Sequence, residues 1–287
     1  MEARDPERRL TRPGGRTAVS QHLGLLPALA VLLLLYGGAV LGALRVSLIP
    51  LGGGTGELTL DAWGAVFADP TFLDALAFTI RITVIATAIS ALLALLLALS
   101  VRDRGLLARV SSAGPVPVPH LLVATVAVLW LAPGGIADRV LGGLPLNPIR
   151  DPGGSGVILV YVFKETPFIA LLLLASLGRS VRQREEAARV LGANRLQAFT
   201  WVLWPALRAP LLLGSLIVAA FTIGSFEVPL AVGPSYPQTL AGWAFEATRG
   251  DLISGEGEAA AALLVAGALA VALAAISARF ARNVEGG

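Results

Sequence analysis

The chain has no cysteine among its 287 residues, and only 14% of them are charged. Without cysteine there can be no disulfide and no thiolate metal site, and the redox compartment stays open. A soluble domain of this size would carry about 25% charged residues. Of the 22 basic residues only Lys164 is a lysine, a bias that reads as genomic composition rather than function. The two histidines, His22 and His120, stand at the starts of apolar segments. With no H-E-x-x-H pair beside them, they do not argue for a metal site. No serine has a histidine placed to activate it, so hydrolase chemistry is unsupported. Nor is there a G-x-x-x-x-G-K-[ST] stretch, which excludes ATP hydrolysis by a phosphate-binding loop. Gly52-Gly53-Gly54-Thr55-Gly56 lacks the Lys-Ser/Thr of such a loop and reads as a flexible turn. Nothing calls for a cofactor or a nucleic-acid partner.

What the chain does have is apolar length: 55% hydrophobic residues and a mean hydropathy of +0.76. Six segments are apolar enough to cross about 30 Å of hydrocarbon. They lie near Leu23–Leu44, Leu73–Val101, Val118–Pro133, Gly156–Leu177, Leu207–Val232 and Glu258–Phe280. The expected fold class is therefore an all-α integral membrane protein with six transmembrane helices. The third segment is the shortest. Pro115, Pro117 and Pro119 precede it and suit the first turn of a helix rather than its interior. Residues 1–22 form a basic tail, with Arg4, Arg8, Arg9, Arg12 and Arg16. The apolar run after them exceeds the usual ~7–15-residue core of a signal peptide, so it reads as an uncleaved first span. Residues 23–280 form the membrane domain, and 281–287 a short tail.

Orientation follows from arginine placement. With the N-terminus inside, 16 of the 22 basic residues fall in or beside segments 1–22, 102–117, 178–206 and the C-terminal tail. The other six are Arg45, Arg81, Arg139, Arg150, Lys164 and Arg249, while the outer loops carry acids such as Glu57, Asp61, Asp138, Asp151 and Asp251. This positive-inside asymmetry puts both termini in the cytoplasm.

The cytoplasmic segment 178–206 is long and polar for a loop between two spans. Arg182 to Val190 are good helix formers, and Gly192 with Asn194 can end that helix in a left-handed conformation. Leu196, Phe199, Val202 and Leu203 recur at helical spacing, and Pro205 allows a new helix to start. The expectation is a hairpin with acidic Glu185 and Glu186 and an apolar seam. An amphipathic pair resting on lipid is the alternative, but glutamates would be repelled by anionic headgroups.

The spacing Glu186-Ala187-Ala188, three residues, Gly192, nine residues, then Val202-Leu203-Trp204-Pro205 resembles the signature E-A-A…G…I-x-L-P loop of permease subunits of type I ABC importers. Val and Trp stand where the family has Ile and Leu. Tyr161 to Phe168 and Phe72 to Thr83 also look like family segments, and the similarity runs over roughly 70–280. The resemblance implies a transport subunit, not itself an enzyme, multi-pass in a bacterial inner membrane. In the family the loop is a coupling helix seated in a cleft of a cytoplasmic ATPase. A dimer of those ATPases, a second permease of the same or a related chain, and an extracytoplasmic solute-binding protein would be its partners. The coupling contact is expected at Glu185, Glu186, Ala187, Ala188, Gly192 and Ala193, with Trp204 and Pro205 serving the join to span five. Ser225-Phe226-Glu227-Val228-Pro229-Leu230 with Tyr236-Pro237 looks most like permeases for polyamines, iron or sugars.

Charges within spans cost about 2.5–3.5 kcal/mol at a helix centre and so mark candidate pathway residues. Lys164 and Glu165 either line the pathway or pair and fix packing, and Pro167 after them is expected to break the helix. Phe226 and Glu227 lie near the outer end of span five, with solute contact and structural pairing both open for Glu227. Arg81 snorkels outward or pairs with Glu227. Gly38 and Gly42 form a G-x-x-x-G suited to close packing. The aromatic stretch from Pro234 to Phe245 either docks the binding protein or anchors at the interface. An ion-driven secondary transporter, or a receptor using the loop for another partner, is the rival reading. The first would show an internal repeat with paired broken helices, which the sequence does not show. The second would need an effector domain.

Overall fold

The computed structural model describes residues 26–49, 56–143, 146–250 and 255–285. The basic tail 1–22 with His22, the glycine stretch 52–55 and Asp251 lie outside them. The chain divides after Ala43. Before that point it is a single apolar helical stretch from Leu26, interrupted by a π-turn at Leu33–Gly37. A β-carbon built at Gly38 or Gly42 would meet no described atom within 4 Å.

Helix is the sole regular structure among the described residues. Six stretches are long and apolar enough to span a membrane. Numbered along the chain, they and the short helices between them are α1 Leu26–Leu48, α2 Asp61–Ala68, α3 Pro70–Val101, α4 Leu106–Ala113, α5 His120–Leu131, α6 Ile136–Leu141, α7 Ser155–Ser176, α8 Arg179–Val190, α9 Arg195–Gly224, α10 Glu227–Val232, α11 Leu240–Gly250 and α12 Gly255–Glu285. The last span thus runs on as helix into what the sequence reading set apart as a tail.

α3 starts where Asp69 accepts from the Thr71 amide at 2.7 Å and Pro70 fills the first helical position, the arrangement that satisfies orphan amides at a helix start. α3 and α7 form the most extensive helix pair. Half of the apolar window of α7 is buried, which makes it the central helix. Gly156 lets α7 approach Pro148: a β-carbon there would sit 2.4 Å from the Pro148 carbonyl oxygen.

Three buried clusters hold the second unit together. Phe72, Leu240 and Trp243 anchor one, Ile82, Tyr161 and Val228 a second, and Ala98, Leu173 and Leu207 a third. α3 contributes to all three. Large apolar side chains remain exposed along the spans, among them Leu92, Leu122, Phe163 and Ile217, a surface suited to lipid or to another apolar chain.

Three expectations are corrected. Span five does not run to Val232: α9 ends at Gly224, and α10 restarts at Glu227 after an extended Ser225. Pro167 does not break α7, which continues to Ser176; neighbouring packing carries the helix past the lost hydrogen bond. The third span does not end at Pro133: it runs from His120 to Leu141 as two helices, α5 and α6, separated by the break at residues 132–135.

Candidate functional site

The hairpin is α8, a turn, and the start of α9. Its turn is closed by two backbone bonds, Ala193 N to Ala188 O and Gly192 N to Arg189 O, both 3.0 Å. That pattern needs a left-handed residue between, and Gly192 supplies it at φ 92°. Ala188 and Ala193 are thus the two ends of the closing bond. Asn194 belongs to the next helix rather than the previous one. Its side chain accepts from Gln197 N while Gln197 returns a bond to the Asn194 amide, both 2.9 Å, a reciprocal cap. At Phe199–Leu203 the helix widens into a π-turn just before Pro205, where the missing proline N–H disturbs the ladder.

The two glutamates of the hairpin face opposite ways. Glu185 is buried and takes a bidentate fork from Arg102 at 2.8 and 2.9 Å, plus Arg189 at 2.7 Å. Burial alone would push its carboxyl up, but the Arg102 hydrogen bonds and the two guanidinium charges outweigh it, and the group titrates below the usual glutamate range. Glu186 points outward and makes a 3.2 Å pair with Arg182. Ala187 is exposed, and at the tip Val190 and Leu191 are 87% and 88% exposed. Sequence reading placed both glutamates in one contact surface; the structure gives Glu185 to the protein's own scaffold and leaves Glu186 with the tip.

Lys164 and Glu165 lie near the middle of α7, and both are buried. They do not pair with each other. Lys164 Nζ donates to the Val116 carbonyl at 2.6 Å, and Glu165 meets His120 Nε2 at 2.7 Å. The two charges therefore hold the proline-rich segment that leads into α5. Irregular backbone at membrane depth is tolerated where protein or a polar cavity satisfies it, and Lys164 does so at Val116. The His120 ring also sits 4.6 Å from that of Phe221 on α9.

Phe226 and Glu227 lie at the other end of α9. Glu227 is exposed at the start of α10, and Phe226 packs on Phe245 at 4.9 Å. Phe226 lines a cavity of about 240 Å³ with Arg150, Gln238 and Glu246. The candidate pathway residues thus form two groups rather than one. Arg81 does not meet Glu227; it turns to the Pro152 and Gly153 carbonyls at 3.3 and 3.0 Å.

Residues 104–285 match the family described as binding-protein-dependent transport system inner membrane component. The chain belongs to this permease family. It is 31% identical over 213 residues to the inner membrane ABC transporter permease protein YnjC of Escherichia coli K12, covering 72% of this chain but 41% of that one. It is 28% identical to the trehalose transport system permease protein SugA of Mycobacterium tuberculosis, over 72% of this chain and 71% of that one. Among solved structures, a chain of a bacterial alginate ABC transporter in complex with an alginate-bound periplasmic protein superposes with a TM-score of 0.75 at 16% identity, covering 93% of this chain and 95% of that one. That likeness is one of fold.

Within this permease fold, sequence reading missed the residues that only tertiary contact reveals: Arg102, Val116 and His120. It also missed a polar face on α3. The hydroxyls of Thr83, Thr87 and Ser90 are buried with no hydrogen-bond partner among the described residues. Their spacing on one face of an apolar helix was a legible signal.

Proposed function

We propose that this chain is the transmembrane subunit of an ATP-driven importer. The α8–α9 hairpin docks a separate cytoplasmic ABC ATPase, one of a dimer, and a second permease completes the pathway. An extracytoplasmic solute-binding protein delivers a small polar solute; relatives named for trehalose and for 2-aminoethylphosphonate transport favour a sugar or a phosphonate over the polyamine and iron classes. Both termini then lie in the cytoplasm, a reading the arginine distribution supports.

The observation that supports this best is the hairpin tip. An apolar Val190-Leu191 pair, fully presented beside an outward Glu186 on a turn locked at Gly192, is costly unless a partner covers it. Ala187 and Ala188 allow a close backbone approach, and Glu186 offers a charge-assisted bond to a basic group.

The reading is tested by Gly192→Asp and Glu186→Lys. Both variants are expected to insert normally and to lose ATPase co-purification and ATP-dependent uptake. Uptake that survives both changes would sink the docking assignment.

A further inference from the structure

We propose that α3 is a rigid tie joining the hairpin on one side of the membrane to the 233–243 segment on the other, a loop that runs into the first turn of α11, so that events on that loop reach the ATPase through this one helix. The inference rests on the function proposed above and adds the route by which the two sides communicate.

Four observations carry it. First, α3 is uninterrupted. Its 32 residues contain no glycine, and its sole proline is at the first position. At 1.5 Å per residue it is about 48 Å long. Helices bend sharply at internal proline or π-turns; α7 has Pro167 inside, and α9 has both a π-turn and Pro210. Second, its C-terminal end is clamped to α8 by the Arg102–Glu185 fork, across 83 residues of sequence. A bidentate guanidinium–carboxylate pair fixes direction as well as distance. Third, its N-terminal end is clamped to that segment three times, once from the loop and twice from the first turn of α11. Tyr236 donates its hydroxyl to Asp74, the Leu240 amide donates to Thr79 Oγ1 at 2.8 Å, and Trp243 Nε1 donates to Thr71 Oγ1 at 2.9 Å. Leu240 is fully buried and Trp243 nearly so, so the loop cannot slide without moving the helix. Fourth, α3 supplies buried residues to all three cores, from Phe72 to Ala98.

A displacement of the loop thus moves a stiff element whose far end holds the coupling hairpin. Arg102 and Tyr236 are positioning residues in this scheme. Neither needs to touch solute or nucleotide.

The test is a double-mutant cycle in the complete transporter, reconstituted with its ATPase and binding protein. The variants cut the inner end (Arg102→Gln), the outer end (Tyr236→Phe with Thr71→Val and Thr79→Val, which removes all three clamps), or both. The readout is the ratio of binding-protein-stimulated to basal ATP hydrolysis. Each cut alone is expected to lower that ratio about tenfold, within the usual range of couplings between sites. The double variant should be no worse than the poorer single, because two cuts in one tie sever it once. Arg102→Lys, which keeps a charge-assisted bond to Glu185 and the pairing with Asp103, should keep more of the ratio than Arg102→Gln, which separates the pair's role from misfolding. Single variants with an unchanged ratio, or losses that multiply in the double variant, would overturn the tie. ATPase retention by the unaltered chain is measured in the same preparations: its absence would remove the proposed function itself, whereas retention with multiplying losses removes the tie alone.

Discussion

Glu185 and Glu165 are buried to nearly the same degree, with 8% and 9% of their side chains exposed, yet they are held differently. Glu185 has two arginines around it, one gripping it bidentately, both permanently charged. Glu165 has a single contact to an imidazole, while the adjacent Lys164 is committed to a backbone carbonyl. The first arrangement suits a fixed joint between helix and hairpin. The second suits a bond that holds a short, partly irregular span in place and can be exchanged. Burial alone does not say what a carboxylate does; the number and kind of its partners do.

Several substitutions break or sharpen that contrast. Glu185→Ala leaves Arg102 and Arg189 facing each other over a vacated acceptor, and losing one partner of a buried pair costs about 3 kcal/mol. It should give the largest drop in thermal stability of the detergent-purified chain and expose the hairpin to limited proteolysis. Glu165→Ala strands the His120 ring, a loss of about 2 kcal/mol for an unmade buried bond, with α5 loosening before the hairpin in hydrogen exchange. Glutamine separates the two further. Glu165→Gln keeps an acceptor for the imidazole and should cost less than its alanine variant, whereas Glu185→Gln loses the charge on which its fork depends.

Acid makes the same distinction at the hairpin. A carboxyl whose folded pKa is depressed stabilises above its unfolded value and loses that stability as pH falls through the folded one. Protection of α8 from proteolysis should therefore hold at neutral pH and fade below glutamate's ordinary 4.5, and Glu185→Gln should abolish that dependence. Gly192→Ala forces a β-carbon to φ 92°, costing about 1 kcal/mol and loosening the turn without touching Glu185. Glu186→Ala should change stability least, since exposed pairs such as Arg182–Glu186 are worth about 0.5 kcal/mol or less, yet it should weaken ATPase co-purification.

What the sequence discloses and what it hides divide along the same line. Apolar runs reveal the six spans because each is a local property of 20 or so residues. Gly192 is legible because a left-handed turn between two helical patterns demands it. Asn194 is misassigned although its signal is present: Asn194 three residues before Gln197 marks a helix start. The end of span five is hidden because Val228 and Leu230 stay apolar past the break at Ser225. Arg189, four residues from Glu185, was a legible partner, but Arg102 and His120 lie 83 and 45 residues from Glu185 and Glu165, and no local pattern in one chain can connect them. Hence two glutamates adjacent in sequence read as one surface, when the helix turns one into the scaffold and the other outward.

The absence of cysteine makes the most direct test of the docking claim simple. A single cysteine at Leu191, and for comparison one at Val140, exposed to 88% and 76% respectively, would be treated with a short thiol-to-amine cross-linker in membranes containing the whole transporter. The account predicts an adduct with the ATPase subunit from position 191 and none from position 140. An ATPase adduct missing at 191, or equally strong at both, would contradict it.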